Sequence, residues 1–237
     1  MKDEKIVLKV GGSLLFNDDK TINTTRISEL VDIFRNGKTN EPIVIICGGG
    51  LIAREYIDVV RAFNPSEAFC DLFGIEISRL NAKLIISAFK DLAYPQVPKT
   101  LEELSRALLF KKIIVMGGLQ PGQSTTSVAL EVAEFTGTNK LIILTDVKGI
   151  YNKDPKKFKD AKLLHRLSYE KLLELIINKS SLTQASAGEY RIFDAVSLQI
   201  LKRSNIKVYM MSGIDLNEFK KFLNGQEDII GTIISRE

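Results

Sequence analysis

Three clusters of glycine follow short apolar runs of the sequence, and glycine is the residue that lets backbone N–H groups approach phosphate oxygens. The clusters are Gly11-Gly12, which precede Ser13, then Gly48-Gly49-Gly50, and Gly117-Gly118. A single cluster is also compatible with an ordinary tight turn. Three clusters, each at the carboxyl end of an apolar run, predict a site for a ligand with several phosphates or for two phosphorylated ligands.

Two cationic side chains accompany these glycines. Lys9 lies two residues before Gly11, at the end of the first apolar run, and Arg54 lies four residues after Gly50 on a predicted helix. Phosphoryl transfer requires positive charge around the transferred group and little covalent chemistry from the protein. A solvated lysine and a solvated helix arginine are the alternative interpretation. The combination with the glycines favours a phosphoryl-transfer site.

The motifs of the common nucleotide-binding proteins are missing from the sequence. No G-x-x-x-x-G-K-[ST] segment occurs, and no G-x-G-x-x-G opens a predicted helix, which argues against P-loop enzymes and dinucleotide-binding folds. The tripeptide His165-Arg166-Leu167 differs from the H-R-D of protein kinases, and no DFG occurs. A phosphate site in this chain must therefore belong to another kind of α/β protein.

The composition of the 237 residues is that of a globular protein, with 45% hydrophobic and 26% charged residues. The net charge of +4 is too small to predict a nucleic-acid partner. The longest apolar runs fall far short of the ~20 residues of a membrane-spanning helix, and the first residues differ from a signal peptide. Two cysteines and one histidine cannot form a disulfide scaffold or a zinc site. We therefore expect a cytoplasmic protein with reduced thiols and no nucleic-acid or membrane partner.

Short apolar runs alternate with amphipathic stretches along the chain, which is typical of a largely parallel sheet covered by helices on both faces. Most of the runs lack the period-two alternation of a half-exposed strand. The pattern predicts strands at 5–10, 42–47, 112–116, 141–145, 207–211 and 229–234. It predicts helices at 24–34, 51–63, 67–89, 101–109, 124–135, 168–177, 194–203 and 215–223.

The order and spacing of several motifs resemble a known family. They are KVGGS at 9–13, CGGGLIAREYI at 47–57, GIEISRLNAKL at 74–84, AYPQVP at 93–98, GGLQPGQSTTSVALEVAE at 117–134, LTDVKGIYNKDPKK at 144–157 and GTII at 231–234. The chain resembles the amino acid kinase superfamily nearly end to end, and GGLQPGQST with DLFGIEISRLNA resembles its archaeal-type uridylate (UMP) kinase branch. The resemblance implies a three-layer αβα sandwich around a mainly parallel sheet, the carbamate kinase-like fold. It also implies a single domain over 1–237, with an acceptor-binding lobe at about 1–138 and an ATP-binding lobe at about 139–237.

An activity is implied by the same resemblance, the ATP-dependent phosphorylation of UMP to UDP in pyrimidine nucleotide biosynthesis. Mg²⁺ would be held mainly by the nucleotide phosphates and water, which suits a hard ion that gives up its waters reluctantly. The implied partners are the small molecules UMP and ATP. The implied assembly is a homo-oligomer, a hexamer by analogy with the family.

Residue roles carried over from the family form two sets. Lys9 is the implied catalytic residue, between the donor and acceptor phosphates. The implied ATP site consists of Lys9, Val10, Gly11, Gly12, Ser13, Gly50, Arg54, Thr145, Tyr151 and Asp154. The implied UMP site consists of Gly49, Asp71, Leu119, Gln120, Pro121, Gly122, Gln123, Ser124 and Thr125. In that set Asp71 would accept from ribose hydroxyls, and the amides of Gln120 and Gln123 suit the edge of a pyrimidine.

Two places depart from the family pattern. Asp146 stands where UMP kinases commonly have asparagine and acetylglutamate kinases have aspartate. Asp194 is followed by Ala195 instead of proline, and Gln199 stands near the usual place of a lysine, so we assign no catalytic role to that helix. Two alternatives therefore stay open. They are a sister kinase for acetylglutamate or isopentenyl phosphate, and a nucleotide-binding regulatory protein without turnover.

Overall fold

The computed structural model describes residues 6–36, 43–153, 155, 157–179 and 193–236. The strands within them are β1 (Ile6–Val10), β2 (Ile43–Cys47), β3 (Ile114–Met116), β4 (Lys140–Thr145), β5 (Arg166–Ser168), β6 (Lys207–Ser212) and β7 (Gly231–Ser235). They form one sheet in the order β3-β2-β1-β4-β6-β7-β5. Every neighbouring pair is parallel except β6 and β7, which confirms the mainly parallel sheet expected from the sequence.

Helices connect the strands. They are α1 (Thr24–Asn36), α2 (Gly50–Arg61), α3 (Glu67–Phe89), α4 (Leu101–Leu108), α5 (Thr125–Phe135), α6 (Tyr169–Lys179), α7 (Ala195–Ser204) and α8 (Asn217–Leu223). The hydroxyls of Ser66, Thr100 and Ser124 each accept a backbone N–H three residues later, and so begin α3, α4 and α5. No helix in the described ranges is long and apolar enough to cross a membrane.

The central strands are buried on both faces, because helices cover the sheet from both sides. Val7 and Ile143 pack in one apolar core with residues of α5 and α7. Leu8 and Ile142 point the opposite way and pack in a second core with residues of α1, α3 and α8. Alternate residues of one strand thus enter different cores. The result is the three-layer αβα arrangement that the sequence predicts.

One strand was not predicted. The pattern predicts a helix at 168–177, whereas Arg166–Ser168 is strand β5 and α6 begins at Tyr169. β5 has three residues, of which only Leu167 is fully buried, and its partner β7 lies far along the chain. A segment of three residues is too short to show a periodic hydrophobic pattern. It can be recognised as a strand only from its pairing with β7. Lys5 and Pro42, expected as strand starts, lie outside the described residues.

Candidate active site

A cleft of about 290 Å³ opens where the glycine turns meet the amino ends of α2, α5 and α7 and one side of α3. Parallel strands end at the same edge of a sheet, which is where open α/β proteins bind ligands. The predicted site residues in its lining are Lys9, Gly11, Gly12, Ser13, Gly49, Gly50, Arg54, Asp71, Gly122, Gln123, Ser124, Thr125 and Thr145. The fold therefore gathers most of the predicted site residues around one volume.

Five predicted residues within the described ranges lie outside this lining, and four of them belong to β1 or to the loop 117–125. Val10 is buried within the sheet, and Leu119 packs against the core on the α5 side. Gln120 and Pro121 are exposed to solvent. Their assignment to a nucleotide site stays a prediction.

The same holds for the predicted adenosine end of the site. Tyr151 is half-buried and forms an isolated antiparallel bridge with Leu163, outside the cleft lining. Asp154 lies outside the described residues.

Asp146 follows β4 directly, and its carboxylate accepts a hydrogen bond of 3.2 Å from the hydroxyl of Thr145, which does line the cleft.

Lys9 is a half-buried cation in the lining of the cleft. Burial lowers the pKa of its ammonium group from 10.5 to about 8, although the carboxylate of Asp146 opposes part of this shift. The neighbouring thiol of Cys47 is fully buried at the end of β2, and burial raises its pKa to about 12. The thiol is therefore neutral near pH 7, while Lys9 is charged and titrates just above neutral pH.

The turns after β1 and β2 approach each other so closely that neither accepts a side chain. A Cβ atom placed on Gly12 would lie 2.1 Å from the backbone nitrogen of Gly50. Gly50 has φ +69°, a backbone conformation that favours glycine, and a Cβ there would lie 2.5 Å from the carbonyl oxygen of Gly12. We call Gly11, Gly12, Gly48, Gly49 and Gly50 the backbone wall, since main-chain atoms form this side of the cleft.

Asn81 of α3 supports the backbone wall from behind. Its side-chain amide is buried and donates to the carbonyl oxygens of Gly48, at 2.8 Å, and Gly49, at 3.3 Å. These two carbonyls are thereby engaged on the helix side. Holding them fixes the peptide planes of the turn at the start of α2, whose N–H groups form a natural anion site.

The loop 117–125 forms the opposite side of the cleft, and side chains hold it. The hydroxyl of Ser78 accepts the N–H of Gly118 at 2.7 Å. The guanidinium of Arg79 donates to the carbonyl oxygens of Gly118, at 3.0 Å, and Leu119, at 3.1 Å. Two neighbouring residues of α3 thus fix the start of the loop.

Carboxylates hold the rest of this loop. Oδ2 of Asp71 accepts the N–H of Gly122 at 2.8 Å, and Oδ2 of Asp194 accepts the N–H of Ser124 at 2.9 Å. Gly122 has φ +78°, so the turn after Pro121 needs a glycine. Asp71 was predicted to contact a ribose, and the structure gives it a contact that positions the loop.

Asp194 is a charged residue of the cleft lining to which the sequence analysis assigned no role. It caps α7, as its carboxylate accepts the N–H of Ser197 at 2.7 Å, and it also lines the cleft. Burial would raise its pKa, but hydrogen bonds from Ser127, Ser197 and Ser124 outweigh burial and lower the pKa below 3.8. The spacing Asp194-x-x-Ser197 is a readable cap signal, whereas its contacts with the loop 117–125 leave no local trace in the sequence.

The cleft offers few ligands for a metal ion. In the part of the chain that the structure describes, no group of three or more His, Cys, Asp or Glu side chains is placed to hold one. Asp71 and Asp194 each give a carboxylate oxygen to a backbone N–H. A Mg²⁺ ion here would take most of its oxygen ligands from phosphates and water, which is how this ion commonly binds with nucleotides.

Comparison with known proteins agrees with the geometry of the cleft. A sequence model of the amino acid kinase family matches residues 4–212, which include the backbone wall, the loop 117–125 and Asp194. The chain belongs to the amino acid kinase family. The resemblance to this family in the order and spacing of the sequence motifs is confirmed.

Relatives within the amino acid kinase family match over their whole length. A uridylate kinase of Methanobrevibacter smithii is 40% identical over 233 residues, covering 98% of this chain and 100% of that protein. A uridylate kinase of Sulfolobus acidocaldarius is 36% identical over 98% of this chain and 100% of its own. The crystal structure of uridylate kinase from Archaeoglobus fulgidus superposes with a TM-score of 0.80 at 33% identity, covering 97% and 99% of the two chains.

Proposed function

We propose that this member of the amino acid kinase family transfers the γ-phosphoryl group of ATP to UMP, producing ADP and UDP. The observation that carries the proposal is the cleft itself. The backbone wall, the Lys9 ammonium group and the amino end of α5 all face one volume, and each attracts phosphate. Full-length similarity to uridylate kinases supports UMP as the acceptor.

In the proposed reaction an oxygen of the UMP phosphate attacks the γ-phosphorus in line, as the bond to the oxygen of the ADP leaving group breaks. The acceptor is already an anion at neutral pH, so the reaction needs no general base. Lys9 and the N–H groups of Gly12, Gly49 and Gly50 stabilise charge on the transferred group, whereas those of Gly11 and Gly48 donate to the carbonyls of Leu144 and Val10. Because these groups are fixed by the fold, they need little reorganisation as the reaction proceeds.

The two substrates are assigned to different groups of residues in the cleft. ATP phosphates would bind to the turn after β1, to Gly50 and to Arg54, whereas the UMP phosphate would bind to Gly49 and the first turn of α5. Uracil and ribose would lie along the loop 117–125, near Asp71. Lys9 lines the same cleft, so this assignment brings it near the triphosphate of ATP and the phosphate of UMP.

Mg²⁺ would neutralise phosphate charge and help to align the transferred group. A loosely held ion is part of the proposal, with most of its oxygen ligands taken from phosphates and water. The ion would enter with ATP. Lys9 and Arg54 would supply positive charge on the protein side.

We also propose a homo-oligomer, for which a hexamer remains the expectation by family analogy. Exposed apolar side chains concentrate on and just after α2 and on α3, namely Tyr56, Val59, Phe63, Phe69 and Leu72. Phe73 packs against the rings of Tyr56 and Phe69, with centroids 6.4 and 5.6 Å away. Apolar side chains grouped in this way are typical of contact surfaces between proteins. Light scattering on the purified chain measures the assembly.

A cytoplasmic location forms part of the proposal, and the free thiols of Cys47 and Cys70 support a reducing compartment. The expected lobes divide near residue 138. This division remains a proposal, in which β1 of the acceptor lobe and β4 of the ATP lobe pair side by side in one sheet.

The deciding experiment measures ADP release from Mg²⁺-ATP with UMP, CMP, dUMP, acetylglutamate and isopentenyl phosphate as acceptors. We expect turnover with UMP well above the other acceptors. Turnover with acetylglutamate instead would overturn the proposal. It would also explain why Asp146 stands where acetylglutamate kinases have aspartate. Binding of ATP and UMP without any product would favour a regulatory protein.

A further inference from the structure

Helices α5 and α7 are joined by a carboxylate at each end. At their carboxyl ends, Glu134 accepts from Nε of Arg203 at 2.8 Å and from the hydroxyl of Ser204. At their amino ends, Asp194 accepts from the loop and helix residues Ser124 and Ser127. Asp194 belongs to the lining of the cleft and Glu134 does not. One of the two junctions between α5 and α7 therefore lies at the cleft, and the other lies away from it.

The junction at the site uses both oxygens of Asp194. Oδ1 accepts the hydroxyl of Ser127 at 2.5 Å and the N–H and hydroxyl of Ser197 at 2.7 and 2.9 Å, while Oδ2 accepts the N–H of Ser124 at 2.9 Å. These donors lower the pKa of the carboxyl group, so it is an anion at neutral pH. If it acted only through its charge, it would repel phosphates from the cleft.

The carboxylate of Asp194 also has an effect that favours phosphate binding. The N–H of Ser124 is bound by Asp194, and the N–H of Ser127 is bound by the Ser124 hydroxyl at 3.1 Å. Between them lie Thr125 and Thr126, which open α5 and line the cleft. Their N–H groups lie in the first turn, where a helix binds anions. The position of this turn depends on the junction with Asp194.

We propose that Asp194 is a positioning residue for the phosphate acceptor. It acts through Ser124 and Ser127, and so places the first turn of α5 where its N–H groups bind the acceptor phosphate. The inference rests on the proposed function, because UMP is the acceptor in its test. It adds the N-cap residue of α7 to a site whose other proposed acceptor contacts come from α3, the backbone wall and the loop 117–125.

The test compares Asp194→Asn with Glu134→Gln, which alters the other junction of the same helices. In Asp194→Asn an amide replaces the carboxylate, so the loop loses a charged acceptor. We expect the KM for UMP to rise about tenfold or more, with the KM for ATP changed less than about twofold. Glu134→Gln should lower the melting temperature comparably and leave both KM values near those of the wild-type protein.

Ser127→Ala keeps the experiment informative if Asp194→Asn does not fold. It removes one hydroxyl donor and retains the Ser124 contact, so the KM for UMP should rise about threefold and that for ATP should not change. The inference is overturned if the KM for UMP is unchanged or lower in the folded variants. It is equally overturned if both KM values rise together.

Failure of the proposed function would be visible separately, in the wild-type protein. If the acceptor panel identifies another phosphorylated acceptor, the same variants are measured with that compound. A selective rise in its KM supports the positioning role, and an unselective rise contradicts it.

Discussion

The two sides of the cleft differ in the contacts that hold them, which are main-chain contacts on one side and side-chain hydrogen bonds on the other. The backbone wall consists of two glycine turns in main-chain contact, where an added Cβ would lie 2.1 Å from a neighbouring nitrogen. The loop 117–125 is held by side chains, which come from Ser78, Arg79, Asp71 and Asp194. Main-chain N–H groups bind any phosphate, whereas a loop held by side chains can adapt to a particular acceptor. We therefore expect a substitution in the backbone wall to cause a large loss of stability or activity. A substitution that weakens the support of the loop 117–125 should cause a smaller loss.

Lys9→Ala should give the largest effect, because Lys9 lies between the two sides. We expect kcat to fall about 10²- to 10³-fold, the range found when one preorganised charge-stabilising group is removed. Binding of UMP, measured by calorimetry, should change only a few-fold. An unchanged kcat would remove Lys9 from the reaction and leave the wall as the main source of phosphate charge stabilisation.

The pH dependence of kcat/KM tests the same residue without a mutation. The pKa of Lys9 is about 8 in the free protein, so the charged form is present below that pH and is lost above it. We expect kcat/KM to fall by up to tenfold per pH unit above about 8. Bound phosphates raise the pKa of Lys9, so the corresponding fall in kcat should occur at higher pH. Lys9→Arg should abolish the alkaline fall, since arginine stays protonated.

Stability should show the opposite trend in this pH range. The unfolded chain binds the Lys9 proton up to pH about 10.5, whereas the folded chain releases it near pH 8. Between these values the unfolded state holds more protons, so the contribution of Lys9 to the free energy of unfolding rises with pH. Urea titrations of the wild-type protein and Lys9→Arg at pH 7.5 and 9.5 measure the difference.

Two glycine substitutions test whether the wall is as intolerant as its geometry implies. Gly12→Ala should lower the free energy of unfolding by about 1–3 kcal/mol or more, since backbone atoms must shift to admit the methyl group. Gly74→Ala is the matched control, also in the cleft lining. Its Cβ would lie 3.5 Å from the Ile57 side chain, so stability should be kept or rise by up to ~1 kcal/mol. Equal losses in both variants would contradict the comparison.

Arg79→Leu should show the smaller loss that we expect when the support of the loop 117–125 is weakened. The substitution keeps apolar bulk and removes the donors to Gly118 and Leu119, so the KM for UMP should rise roughly tenfold with little change in the KM for ATP. Lys83→Leu, at an exposed position of the same helix, is the control and should leave both KM values unchanged. A rise in the KM for ATP as large as that for UMP would mean that the two sides are not independent.

Most of the fold could be predicted from the sequence, because the central strands are continuous apolar runs and the helices carry readable caps. β5 could not, since three residues at a sheet edge become a strand only by pairing with β7. For the site, the glycine turns and Lys9 are local features. Lys9 lies next to the last residue of β1 and the glycine turns follow β1 and β2, and parallel strands end at the same edge of a sheet.

The missed part of the site depends on contacts between distant residues. Asp194 contacts Ser124 and Ser127 across the α5–α7 pair, and no pattern within either segment specifies that meeting. Asp71 illustrates the same limit. The sequence indicated an acidic residue near the acceptor, but its contact with Gly122 depends on where the loop 117–125 folds back onto α3.

The central position of β1 has a consequence for synthesis of the chain on the ribosome. β1 lies between β2 and β4, and Lys9 is paired with Ile143, far along the sequence. At translation rates of ~5–20 residues per second, one edge of β1 stays open for roughly ten seconds before β4 emerges. During that time an apolar, unpaired strand is available to other nascent chains. Slower elongation before residue 140 should therefore lower the soluble yield, and a chaperone that covers strand edges should restore it.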